Sequence, residues 1–264
     1  MPVLPSGFGV LVTRPAGQAE RLCRLIEDGG GTAIHAPLQE IVPVDGDEPG
    51  PRRLKQQENP DWLVFVSANA VRCAFALLGP QWLEGKQAKI AAIGLATACA
   101  LAEKGVAVDL KPKQQFNSEA LLAEPAWAAV SGLRFLIVRG VGGRELLAET
   151  LRARGARVEY AEVYRRVPAN VDMPGLLARW RAGGIGATIV TSGEALAALA
   201  RLMEGRDQAL LLCTPMVTIG ERLSGQAREL GCIQVITAEP GDAEIFDAVL
   251  RIGRTLIKTH QPRG

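Results

Sequence analysis

Two hydrophobic periods alternate along the chain. Short unbroken apolar runs fall at residues 10–13, 62–66, 89–93, 135–138, 188–191 and 235–237. Between them lie stretches with apolar residues three and four apart, as in Ala19, Leu22, Cys23, Leu25 and Ile26. Unbroken apolar runs, rather than alternating ones, predict strands covered on both faces, as in a parallel sheet. The spacing of three and four predicts helices, and glycines at Gly29-Gly30-Gly31, Gly105 and Gly231 supply stops. Helices are expected at 67–78, 97–104, 118–123, 192–203, 221–230 and 242–252, with a frayed tail after Thr255. Residues 106–110 read as a further strand, and 210–213 with 215–219 lead into another that ends at Gly220. Residues 32–43 are extended, and Pro37 and Pro43 keep them from a central sheet position. Residues 45–60 are polar with three prolines, a loop with one short helix. Strand and helix in alternation mean an α/β fold with parallel sheets and right-handed crossovers.

The pattern occurs twice. Subtracting positions gives 125 for Arg14 and Arg139, Gly17 and Gly142, Glu20 and Glu145, Leu22 and Leu147, Gly30 and Gly155, Ala36 and Ala161, Pro43 and Pro168. Ser67 with Ser192, Ala70 with Ala195 and Glu119 with Glu244 keep that offset, and Ile93-Gly94 returns at Ile219-Gly220 with an offset of 126. Solenoid units are shorter, about 20 to 50 residues. A duplicated half-chain, and hence two similar lobes with a cleft, is the reading that fits.

Composition narrows the class. With 264 residues, 48% hydrophobic and 22% charged, each half can bury a core. A formal net charge of +2 and 5% aromatic residues speak against nucleic acid as partner. The five cysteines form no CxxC pair, and four are expected in apolar runs as small hydrophobes, so a reduced, cytoplasmic protein is expected. His35 and His260 are the only histidines, which argues against an imidazole or thiolate metal site. The first residues lack the pattern of a signal peptide, and no apolar run reaches the ~20 residues of a membrane span.

Four strand-to-helix turns share one form: Ser67-Ala68-Asn69, Gly94-Leu95-Ala96-Thr97, Ser192-Gly193-Glu194 and Gly220-Glu221-Arg222. In open α/β sheets ligands collect beyond the carboxyl ends of strands, where helix N-termini suit carboxylate or phosphate. The alternative is that Ser67 and Ser192 are ordinary helix caps. The run Arg139-Gly140-Val141-Gly142-Gly143-Arg144 lacks both the GxGxxG spacing and a P-loop Lys-Ser/Thr. It reads instead as a glycine turn that lets Arg139 and Arg144 face an anion, or as a turn with solvated arginines. Tyr164 lies in an extended segment, and a period of two puts Tyr160 and Glu162 on its face. Its place between the presumed lobes puts it at a cleft wall. No Ser/His/acid triad is available, since only two histidines exist.

Taken together, VTRP at 12–15, SANAV at 67–71, IGLATACAL at 93–101, SEALL at 118–122, VRGVGGRELL at 138–147, VYRR at 163–166, VTSGEAL at 190–196 and IGERL at 219–223 resemble the uroporphyrinogen-III synthase family over almost the whole chain. The resemblance implies two flavodoxin-like lobes joined by a two-stranded antiparallel linker. Lobe one would be 1–36 plus 168–264, lobe two 44–160, and the linker 37–43 and 161–167. It implies a monomeric, cofactor-independent enzyme that cyclises hydroxymethylbilane with inversion of ring D and loss of water. Tyr164 would assist the leaving hydroxyl by hydrogen bond, since a phenol is a weak acid at neutral pH. Arg14, Ser67, Ala68, Asn69, Gly94, Thr97, Arg139, Gly140, Ser192, Gly193, Gly220 and Arg222 would meet the substrate. Many members have Thr after the second Ile-Gly; here Glu221-Arg222 stands instead, with Arg222 as the carboxylate contact. The competing class is a non-catalytic two-lobed protein that clamps an anionic small molecule.

Overall fold

The computed structural model describes residues 3–56, 60–85, 87–113 and 117–259, with side chains as far as Thr255; His260 lies outside these residues. The strands described are β1 (Gly9–Val12), β2 (Thr32–His35), β3 (Gln39–Pro43), β4 (Trp62–Phe65), β5 (Lys89–Ala92), β6 (Arg134–Gly140), β7 (Arg157–Pro168), β8 (Ala187–Val190), β9 (Met216–Ile219) and β10 (Val235–Ala238). The chain divides into two compact units, Met1–Glu40 with Val167–Gly264, and Ile41–Arg166.

The first unit holds a sheet in the order β10-β9-β8-β1-β2, with each adjacent pair parallel. Renumbered within the unit this is the 2-1-3-4-5 order of flavodoxin-like folds. All four residues of β1 and of β8 are buried. Successive side chains point to opposite faces. Leu11 and Val190 therefore pack under Leu196, Leu199 and Leu223, whereas Val10, Val12 and Ile189 pack under Leu22, Ile26, Ile245 and Val249. Helices on both faces are the reason these strands are apolar without alternation.

The second unit repeats this order. Its sheet runs β3-β7-β6-β4-β5, so β7-β6-β4-β5 matches β2-β1-β8-β9 of the first unit. Phe65, Val138 and Ala161 meet Val71, Ala74 and Leu101 on one face. Trp62, Val64 and Ile137 meet Leu121, Trp127, Leu147 and Leu151 on the other. Ala169 N–H donates to Leu38 O at 3.2 Å and Val44 N–H to Val163 O at 3.2 Å, an opposed order that makes β3 and β7 antiparallel. β2 and β3 are both edge strands, as Pro37 and Pro43 require.

Several elements differ from the pattern reading, among them the helix Met173–Arg181, which that reading does not contain. Residues 106–110 form no strand: Leu110 makes only a single parallel bridge to Ala91. The Asp109 carboxylate takes the Ile90 N–H at 2.7 Å, a side chain standing in for the ladder. Residues 210–213 are helical, within Gln208–Cys213, because Leu, which is not branched at Cβ, favours helix over strand. The last helix continues to Thr259. The helix after Gly94 starts at Leu95, two residues before the expected Thr97. Among the cysteines, Cys73 and Cys232 are buried and Cys23 half-buried, but Cys99 and Cys213 are exposed rather than packed; all five are free thiols. No described helix is long and apolar enough to cross a membrane.

Candidate functional site

In the second unit a cavity of about 180 Å³ opens beyond the carboxyl ends of β4, β5 and β6. Val66 and Ile93 line it from the first two, Arg139 and Gly140 from the third, and Tyr160 and Tyr164 from β7. The loop Gly142-Gly143-Arg144 and the buried Ser118 complete the wall, and Arg166 lies at the edge of the same cavity.

Tyr164 reaches this place through a break in register. β7 follows β6 residue for residue until Arg139 opposite Glu162; then Gly140 faces Tyr164, and Val163 is skipped. A bulge of this kind re-aims the side chains beyond it. Tyr164 therefore joins Ala161 and Val163 in one core, whereas Tyr160 packs on the opposite face with Val158. The expected shared face of Tyr160, Glu162 and Tyr164 is thus corrected. The phenol ring lies flat against Gly140, where an added Cβ would come within 2.5 Å of a ring carbon. Gly140 is accordingly the residue that admits the ring, and it lines the cavity as well.

Tyr164 is 1% exposed, not an open cleft wall. Its hydroxyl is 3.1 Å from Ser67 Oγ and accepts a hydrogen bond from Arg166 Nη2 at 3.3 Å. The Arg166 guanidinium also stands 5.5 Å over the phenol ring, a cation–π distance. Arginine only donates. The phenol O–H therefore stays available to Ser67 or to a ligand oxygen. Ser67 is a helix cap as well, taking the Ala70 N–H at 3.0 Å. Ala68 and Asn69, the first residues of that helix, are half-buried. Gly94 and Thr97, at the next turn, are buried.

The arginines are wired differently from expectation. Arg139 is buried and spends its donors internally: Nε on Gly140 O at 3.2 Å, Nη1 on Glu145 Oε1 at 2.9 Å, and Nη2 on Gly142 O. Its guanidinium lies 4.5 Å over the Tyr160 ring, and the Tyr160 hydroxyl donates to Glu145 Oε2. The anion that Arg139 faces is thus the Glu145 carboxylate of the chain itself. The hydrogen bond from Tyr160, aided by Arg139, holds the Glu145 carboxyl below the usual carboxylate range. Burial, reinforced by the bond to Glu145, pushes the Tyr160 phenol up. Arg144 is exposed and paired with Glu119, whose carboxyl is lowered by that bond. Arg166 has no acidic partner among the described residues, which makes it the uncompensated cation of this cavity. Nothing in its spacing separates it from Arg165, which pairs with Glu48 at 2.7 Å.

The first unit carries the equivalent turns at the ends of β8 and β9. Ser192 caps its helix by taking the Ala195 N–H at 3.1 Å, with Gly193 next in line. Gly220 starts the following helix at φ +70°, and Arg222 is exposed. Arg14 is held by Asp242 at 2.6 Å. Among the described residues, no group of three or more His, Cys, Asp or Glu is placed to hold a metal ion.

The family model described as uroporphyrinogen-III synthase HemD matches residues 20–246. The uroporphyrinogen-III synthase of Escherichia coli K12 is 36% identical over 249 residues, covering 92% of this chain and 99% of its own. That of Salmonella typhimurium LT2 is 37% identical over 255 residues, with the same coverage of 92% and 99%. Among solved structures, a mutant uroporphyrinogen III synthase of the extremely thermophilic bacterium Thermus thermophilus superposes with a TM-score of 0.65 at 22% identity, covering 95% of this chain and 99% of that one. The uroporphyrinogen-III synthetase of Helicobacter pylori 26695 gives 0.63 at 16%, covering 93% and 99%. At these identities the structures speak for the α/β fold.

Proposed function

The chain belongs to the uroporphyrinogen-III synthase family, and on that footing we propose that it is a lyase closing hydroxymethylbilane to uroporphyrinogen III, as a cytoplasmic monomer. The terminal hydroxyl departs as water and leaves an azafulvene-type cation. The substituted carbon of ring D attacks it, and the resulting spiro intermediate fragments and recloses with ring D inverted. Pyrrole electrons drive each step, so the work of the protein is to hold a flexible polyanion in the reactive fold.

The observation that carries this reading is the Tyr164 hydroxyl at the cavity, held between Ser67 and Arg166. Arg166 meets a substrate carboxylate, and the phenol O–H hydrogen-bonds the leaving hydroxyl. A cavity of about 180 Å³ is below the ~300–1,000 Å³ of sites for drug-sized ligands, so it takes one substituted ring rather than the whole substrate. The turns at Ser192, Gly193, Gly220 and Arg222 each offer a helix N-terminus or a cation to a carboxylate.

The test is turnover of enzymatically prepared hydroxymethylbilane with isomer analysis of the product. Isomer III is expected; isomer I alone, as spontaneous closure gives, refutes the proposal. A non-catalytic clamp for an anion would give that second result.

A further inference from the structure

Arg139, Glu145 and Tyr160 stand beside the cavity without presenting a free charge to it. All three are consumed by one another and by the loop that follows β6. Arg139 fixes the carbonyls of Gly140 and Gly142, Glu162 Oε1 takes the Gly142 N–H at 3.3 Å, and Glu145 closes the ring by accepting from both Arg139 and Tyr160. Gly142 and Gly143 sit at φ +72° and +108°, a conformation that glycine adopts without strain. A Cβ on Gly143 would come within 3.0 Å of Arg139 Nη2. The backbone of Gly142 and Gly143 thus lies directly against the guanidinium, and these two residues with Arg144 form one wall of the cavity.

We propose that Arg139, Glu145 and Tyr160 are positioning residues: a clamp that sets the glycine wall of the cavity and thereby its fit to one substrate ring. The inference rests on the reading of this cavity as part of the substrate site. Only a planar guanidinium can meet two backbone carbonyls and a carboxylate while stacking on a phenol, so lysine is not an equivalent here. Arg139 offers stiffness rather than charge, and the anion is left to Arg166.

Three conservative variants test this in the full chain. Tyr160→Phe removes one hydroxyl and keeps the ring beneath Arg139. Glu145→Gln keeps the shape and removes the charge, and Arg139→Lys keeps the charge and removes the fork. Steady-state kinetics with hydroxymethylbilane, isomer analysis and thermal melting are measured for each. We expect KM to rise about tenfold for each of the three, the size of one lost charge-assisted hydrogen bond, since the Tyr160 hydroxyl also donates to a carboxylate. kcat is expected to stay within about twofold, with isomer III still the product. Unchanged KM with a lowered melting temperature would mean a purely structural cluster and overturn the clamp. A large fall in kcat at constant KM would make these groups part of the chemistry and overturn it equally. Should Arg139→Lys not fold, the other two variants decide. Isomer III from the parent with unmoved KM in the variants overturns the clamp alone. Isomer I alone from the parent overturns the functional reading and the clamp with it.

Discussion

The same ancestral corner occurs in both units and is wired for different ends. Subtracting 125 pairs Arg139 with Arg14, Gly140 with Pro15, Glu145 with Glu20, Tyr160 with His35 and Tyr164 with Gln39. In the first unit Glu20 turns to the Gly17 N–H at 2.7 Å, Arg14 goes to Asp242, and His35 Nε2 meets the Arg14 carbonyl at 2.9 Å. In the second, Glu145 gathers Arg139 and Tyr160, and the ring of Tyr164 lies on Gly140. A proline at the position of Gly140 and a glutamine at that of Tyr164 leave the first corner without an equivalent phenol. Glycine and tyrosine depend on each other here, since the ring needs the bare Cα. One copy of a duplicated frame thus carries an aromatic hydroxyl beside a cavity, and the other carries a single partly buried ion pair, Arg14–Asp242.

Removing the two arginines separately gives the sharpest contrast. Arg139→Ala strips donors from two carbonyls and a carboxylate, an expected loss of about 2–4 kcal/mol. Arg14→Ala, at a single partly exposed pair, is expected to cost about 1 kcal/mol. Equal losses in chemical denaturation would erase the distinction between the corners. Gly140→Ala comes next, with about 1–3 kcal/mol from overpacking against the Tyr164 ring and a more than tenfold fall in isomer III formation. An unchanged melting curve would show that the ring is free to move aside. Tyr164→Phe is expected to change stability by about 1 kcal/mol or less while turnover falls well beyond that; full activity would remove the phenol from the mechanism. Ser67→Ala and Ser192→Ala should each lose about 1 kcal/mol of capping, but the former also deprives Tyr164 of a partner, so only its turnover should drop further than its stability explains.

The smallest effect is on pH. The folded Glu145 carboxyl lies below its ordinary value of 4.5 and the Tyr160 phenol above its ordinary value of 10.0. A lowered carboxyl contributes stability above the unfolded value, and that contribution disappears as pH falls through the folded one. A raised phenol contributes below its unfolded value, and that contribution disappears as pH rises through the folded one. Melting temperatures should thus decline at both ends of the range, and the acid limb should be shallower in Glu145→Gln. Identical acid limbs would show that the carboxyl contributes nothing.

The central strands were legible because burial on both faces leaves no polar position in β1 or β4 and only the buried Thr188 in β8. The helix caps at Ser67 and Ser192 were legible for a local reason, a hydroxyl three residues before a free N–H. What escaped the pattern was set by tertiary neighbours. The bulge at Val163 has no mark of its own in Val163-Tyr164-Arg165-Arg166, yet it decides which face Tyr164 occupies. Arg139 beside three glycines looks like an anion ligand until Glu145 and Tyr160 fold onto it, and Tyr160 is 21 positions away (160 − 139). Arg166 and Arg165 are indistinguishable in sequence; only the position of Glu48 tells them apart. Residues 106–110 failed as a strand because one carboxylate, that of Asp109, satisfied the edge first.

The pairing of β1 with β8 joins Val10 to Ala187, 177 positions later (187 − 10). On a ribosome, Ile41–Arg166 emerges as one uninterrupted stretch, able to fold as soon as it clears the exit. Val10 is translated ahead of that stretch and Ala187 after it, so this edge of β1 waits for its partner. At about 5–20 residues per second, that wait lasts on the order of ten seconds or more, during which the edge of β1 that meets β8 is unpaired.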